Sequence, residues 1–102
     1  MFNVINDILN EIKSKIEKEE DIIVAVCGQM HGFVAWDSDF KPVTNLVTWQ
    51  DRRLPLSECE SLNLQPGYGV GSLVWFRKNK PNLLSNAVSC GTIMGWFTIC
   101  IQ

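Results

Sequence analysis

A chain of 102 residues has room for one domain, and a chain of this size buries only roughly 60–68% of its unfolded surface, so any core is modest. Nine Lys and Arg stand against eleven Asp and Glu, a net charge of −2, which leaves no electrostatic footprint for nucleic acid or an anionic membrane and favours small neutral ligands. The four cysteines, Cys27, Cys59, Cys90 and Cys100, form no C-x-x-C pair and have one histidine to join them, so they read as reduced, mostly buried thiols of a cytoplasmic protein, with neither a zinc site nor a disulfide framework.

Ile5, Ile8, Leu9, Ile12 and Ile16 recur at helical spacing, with Asp7, Glu11, Lys13, Lys15 and Lys18 between them, which predicts an amphipathic helix over Val4–Lys18 packed on a sheet. Glu11 and Lys15 stand in the favourable i,i+4 order. Ile22 to Cys27 is an unbroken apolar, largely β-branched run, the pattern of a strand buried on both faces. A second strand is expected at Phe33–Trp36, after a turn bounded by Gly28 and Gly32. That turn holds His31, the only histidine. A neutral imidazole donates at one nitrogen and accepts at the other, so it can satisfy both functions of a sugar hydroxyl, although spacing alone favours a tight turn whose histidine is solvated or bonded to a carbonyl.

Asp37 to Pro42 is rich in turn formers and predicts an antiparallel hairpin into a strand at Asn45–Trp49. Gln50-Asp51-Arg52-Arg53 then starts a helix through Cys59, with Asp51 at its positive end, Pro55 in its first turn and Arg53 in solvent. Leu62–Gly67 is a loop. Gly67-Tyr68-Gly69-Val70-Gly71-Ser72 has G-x-G-x-G spacing, with no Lys-Ser/Thr after it and no apolar strand before it, so it is a close-packed glycine-rich approach to a helix and not a phosphate cradle. The next helix runs Ser72–Lys80, with Trp75 in the core and Pro81 as its stop. Ala87–Ile101 is apolar with small polar residues, too short at fifteen residues for the ~20 that span a bilayer, and reads as a buried helix with few partners in so short a chain. An uncovered apolar face there would favour self-association or docking. The order of elements points to an α/β layer.

Gly28-Gln29-Met30-His31-Gly32, the strand ending in Trp36-Asp37, Thr48-Trp49-Gln50-Asp51-Arg52, Gly67-Tyr68-Gly69, Trp75 to Pro81 and Gly91-Thr92-Ile93 together resemble the amino-terminal domain of the FGGY carbohydrate kinases. The likeness runs from Asp21 onward in the family's order. Met94-Gly95-Trp96 departs from it, since the family carries a polar or acidic pair before an aromatic there, and the departure bears on how the tail docks.

The resemblance implies a partial ribonuclease H-like (actin-like ATPase) domain, shortened at both ends, with residues 1–102 forming part of the sugar-binding domain and the nucleotide-binding domain lying beyond them. It implies an enzyme that moves the γ-phosphoryl of ATP, with Mg²⁺, to a ketose, sedoheptulose foremost. Gln29, Met30, His31 and Trp49 would line the sugar, with Asp51 beside them. No catalytic, nucleotide-binding or metal-binding residue is expected in these 102 residues: the family's Asp-x-Gly-Thr turn should precede the first helix, and its catalytic aspartate should follow Gln102. The chain alone is therefore expected to be inactive and to bind neither ATP nor Mg²⁺. The competing expectation is a noncatalytic sugar-binding or protein-interaction module, with neither nucleic acid nor membrane as partner.

Overall fold

The computed structural model describes residues 2–17 and 23–101. Among these it shows a small α/β arrangement of a three-stranded antiparallel sheet and five helices, in the order α1 (Phe2–Ser14), β1 (Gly32–Trp36), β2 (Val47–Thr48), α2 (Leu56–Ser61), α3 (Gly69–Asn79), α4 (Pro81–Leu84), β3 (Ser89–Gly91) and α5 (Ile93–Cys100).

The sheet is built around β1. It lies between β2 and β3, with Phe33 opposite Val47 on one side and Val34, Ala35 and Trp36 opposite Gly91, Cys90 and Ser89 on the other. All five of its residues are buried. Successive side chains of a strand point to opposite faces, and both faces here are covered. Phe33 and Ala35 join Val47 and Phe76, with Val43, Leu73, Trp75, Leu84 and Ala87 packed around them. Val34 and Trp36 join Trp96, backed by Ile93, Ile99 and Cys100. Full burial of side chains of this size contributes about 1.5–3 kcal/mol each, so β1 anchors most of the apolar stabilisation.

The hairpin after β1 forms as its turn residues predict. Asp37 Oδ1 accepts from the amides of Asp39 (2.9 Å) and Lys41 (3.0 Å), and Phe40 takes a positive φ of 61°. Before β2 a side chain replaces a main-chain acceptor: Ala35 N–H donates to the hydroxyl of buried Thr44 at 3.0 Å, while Val43 N–H donates to Ala35 O at 2.8 Å.

Several expectations change. The strand at Ile22–Cys27 is absent over its described residues: 23–29 have no regular structure and Ile23 is 95% exposed, while Ile22 lies outside the described residues. Among the described residues this run pairs with none of the three strands, and a β-branched run without a paired neighbour has no ladder to hold it extended. Helix α1 ends at Ser14 and turns Val4, Ile8 and Ile12 outward instead of onto the sheet, although its Glu11–Lys15 ion pair forms at 2.7 Å. Helix α2 starts after Pro55, not at Asp51, because a residue preceding proline is pushed out of the helical region. It ends on Asn63 in the left-handed conformation, φ 55°, a common helix stop.

A further change concerns the tail. Its first part pairs with β1 as strand β3, and only Ile93–Cys100 is helical, capped by Thr92 Oγ1, which accepts from Gly95 N–H at 3.3 Å. Helix α5 therefore has a bed, and Trp96 Nε1–H ties it to Phe40 O at 2.8 Å. Helix α3 starts three residues earlier than expected, and Pro81 closes it while opening the short α4. All four thiols are free; Cys59 is buried and Cys100 half-buried, whereas Cys27 and Cys90 are exposed, so the expectation of mostly buried thiols fails because the strand meant to bury Cys27 does not form. No helix among the described residues is long and apolar enough to cross a membrane.

Candidate functional site

Three segments far apart in sequence meet at the amino-terminal end of β1: the turn 28–32, the residues after β2, and the approach to α3. Two glycines make the meeting possible. Gly67 has φ +91°, and a Cβ there would fall on the carbonyl oxygen of Trp49; a Cβ on Gly69 would fall on the carbonyl oxygen of Gly32. Only residues without a side chain let these backbones touch.

On this frame the His31 ring lies against Tyr68, centroids 4.6 Å apart and planes at 31°. Gln29 folds its amide back beside Gly32, 3.2 Å from where a Cβ would stand. Met30 is 75% exposed and Trp49 50% exposed, so both present their side chains to solvent around the turn. Among the described residues neither the His31 ring nitrogens nor the Tyr68 hydroxyl has a hydrogen-bond partner, which leaves polar groups and aromatic surface unengaged there. An open cleft of about 290 Å³ lies alongside, lined by Gly32, Phe33, Gly69, Leu73, Cys90 and Thr92 among others. Cys90 is exposed overall, yet the partial desolvation of its thiol at the cleft wall pushes its pKa up from the ordinary value, the direction opposite to that of an activated nucleophile.

Asp51 is differently placed. Its Oδ1 accepts from Arg53 N–H at 2.9 Å and Nε–H at 2.8 Å, and its Oδ2 accepts from Nη2–H at 2.9 Å. The Arg53 side-chain hydrogen bonds hold the Asp51 carboxyl below the usual carboxylate range, against the opposing effect of burial and with smaller help from the Arg53 amide and the charges of Arg53 and Arg52. A carboxylate held this way resists taking a proton, so it is a poor general base. Behind it lies a void of about 10 Å³, bordered by Asp51, Arg53, Gln65 and Tyr68, too small for a sugar.

Arg53, expected in solvent, is instead half-buried, with its guanidinium 4.8 Å from the Trp75 ring and 5.0 Å from the Phe76 ring. Arg52 Nη1–H donates to Trp49 O (2.9 Å) and Asp51 O (3.0 Å), bracing the same bend. Asp51 thus fixes the bend 51–53 and does not cap α2. Tyr68 was missed as a site residue; its signal is that it is the sole tyrosine, set between two glycines.

The sequence matches the profile described as the FGGY family of carbohydrate kinases, N-terminal domain, over residues 1–102. Sedoheptulokinase of Mus musculus is 32% identical over 95 aligned positions, covering 72% of this chain and 20% of the relative; sedoheptulokinase of Homo sapiens is 32% identical over 92, covering 69% and 19%. A glycerol kinase of Saccharolobus islandicus is 27% identical over 88, covering 72% and 18%. The chain spans about a fifth of the length of the curated relatives it matches. With three of its motifs meeting at one end of β1 and its whole length matched, the chain belongs to the FGGY family of carbohydrate kinases, within that family's N-terminal domain.

Proposed function

We propose that this chain forms the sugar-binding part of an ATP-dependent kinase on a ribonuclease H-like scaffold, one that phosphorylates a ketose and prefers sedoheptulose. The supporting observation is the convergence of turn 28–32, Trp49–Arg52 and Gly67–Gly69, which leaves the His31 imidazole, without a hydrogen-bond partner among the described residues, beside exposed aromatic surface. His31 bonds a sugar hydroxyl or the carbonyl end, Gln29 and Met30 flank it, and Trp49 forms a wall. Asp51 contributes the acceptor capacity that Arg53 leaves on Oδ2. The sedoheptulokinase relatives favour the seven-carbon sugar over the glycerol of the other relatives.

The site residues offer no cluster of carboxylates for Mg²⁺ among the described residues. Among the described residues no group of three His, Cys, Asp or Glu could hold a metal ion, and Asp51 is engaged. ATP and Mg²⁺ belong to the whole kinase. A cytoplasmic location accords with the four free thiols. A second reading, a noncatalytic sugar-binding or protein-interaction module, draws on one observation: the site's carboxylate is held by arginine and poorly suited to receive a hydroxyl proton.

The test places this segment in mouse sedoheptulokinase in place of the stretch it matches and compares kcat/KM for sedoheptulose, xylulose, ribulose and glycerol. Sedoheptulose should lead, and His31→Ala should lower kcat/KM about 5- to 150-fold, the loss of one buried hydrogen bond to a sugar, with KM for ATP unchanged. Unchanged sugar kinetics in His31→Ala would refute the role of His31, and preference for another of the sugars would refute the substrate.

A further inference from the structure

A turn histidine such as His31, with no hydrogen bond on either ring nitrogen among the described residues, is free to hop between staggered wells, yet recognition of a hydroxyl needs its N–H and lone pair in fixed directions. What restrains the ring is Tyr68. The two rings lie at 4.6 Å and 31°, within the range of attractive aromatic pairs. Their backbones are also locked together: Gly69, next to Tyr68, presses on the carbonyl of Gly32, next to His31, and Gly67 on the other side presses on Trp49. The stack is thus carried by main-chain contacts at both of its flanks, and Tyr68 further borders the void shared with Asp51 and Arg53.

We propose that Tyr68 is a positioning residue that holds the His31 imidazole plane for the sugar, with Gly67 and Gly69 as its mount. The inference rests on the reading of His31 as a sugar contact and deepens it. The phenol acts through its face, so phenylalanine should replace it and leucine should not.

The chain has a single His and a single Tyr, so proton NMR of the 102-residue protein reads both rings without ambiguity. The wild type should show cross-peaks between the His31 and Tyr68 ring protons and ring-current shifts of the imidazole carbon-bound protons. Tyr68→Phe should keep those shifts, and Tyr68→Leu should lose them while the β1 amide signals stay in place. On titration with sedoheptulose, the midpoint read at His31 should rise about two- to tenfold in Tyr68→Leu, the worth of an aromatic pair, and stay put in Tyr68→Phe. Absence of the wild-type cross-peaks would overturn the proposal even if Tyr68→Leu fails to fold. An unchanged sugar midpoint in a folded Tyr68→Leu would overturn the positioning role alone, whereas no sugar response at His31 in any variant would overturn the sugar reading beneath it.

Discussion

Replacing Arg53 with alanine removes three contacts at once. The guanidinium forks onto Asp51 through Nε and Nη2 at 2.8 and 2.9 Å, with side chains only 30% and 23% exposed, and it lies about 5 Å from the Trp75 and Phe76 rings. A half-covered, bidentate, charge-assisted pair contributes about 1–2 kcal/mol and the ring contacts about 0.5–1 kcal/mol more. The expected loss is about 1.5–3 kcal/mol, which for a domain of this size lowers Tm by about 6–24 °C. Arg53→Met keeps the stem over the rings and should recover part of it. Acid gives an independent check. The folded pKa of Asp51 is lowered, so its contribution is fully present above the unfolded carboxyl value of about 3.9 and is lost as pH falls through the folded value. Circular-dichroism melts of wild type and Arg53→Ala should therefore differ at pH 7 and converge in acid. An Arg53→Ala protein that melts within about 2 °C of wild type at pH 7, or a gap that widens as pH falls, would refute this account.

Two further outcomes follow from the geometry. Gly69→Ala should destabilise by at least about 2 kcal/mol, because its Cβ would strike the Gly32 carbonyl, whereas Gly95→Ala in α5, where a Cβ finds only Thr92 Oγ1 at 3.6 Å, should be neutral or stabilising by up to about 1 kcal/mol; chemical denaturation that ranks them the other way would contradict the packing. The 102-residue chain by itself should form no sugar phosphate from ATP and sedoheptulose, since its site carboxylate is engaged by arginine; product accumulating in proportion to chain concentration would sink that expectation.

Local pattern carried β1 in full and β2 and α3 in part: Phe33–Trp36 are all buried, β2 keeps Val47–Thr48 of the expected Asn45–Trp49, and α3 buries Phe76 with Leu73 and Trp75 packed beside it but starts at Gly69. Pattern failed where partners decide. Ile23 and Val24 have strand character but pair with no strand among the described residues, and Ser89–Gly91 lacks strand character yet fills an edge of β1. The same division runs through the site. The Gly28–Gly32 turn and the close approach at Gly67–Gly69 were legible from glycine spacing. Arg53 was not, because a guanidinium's place over Trp75 and Phe76 depends on residues more than twenty positions away, and Tyr68 was not, because its ring contact exists only after two glycines bring separate backbones together.

The doubly covered strand β1 has a consequence for how this protein comes apart. Phe33 and Ala35 serve the cluster under α3, and Val34 and Trp36 serve the cluster under α5, so the two cores share one piece of backbone, residue by residue. Lifting either helix strips one side of the strand that the other helix needs. The amides of α3 and α5 should then exchange with solvent through one common opening, while those of α1, whose Val4, Ile8 and Ile12 face water, open on their own.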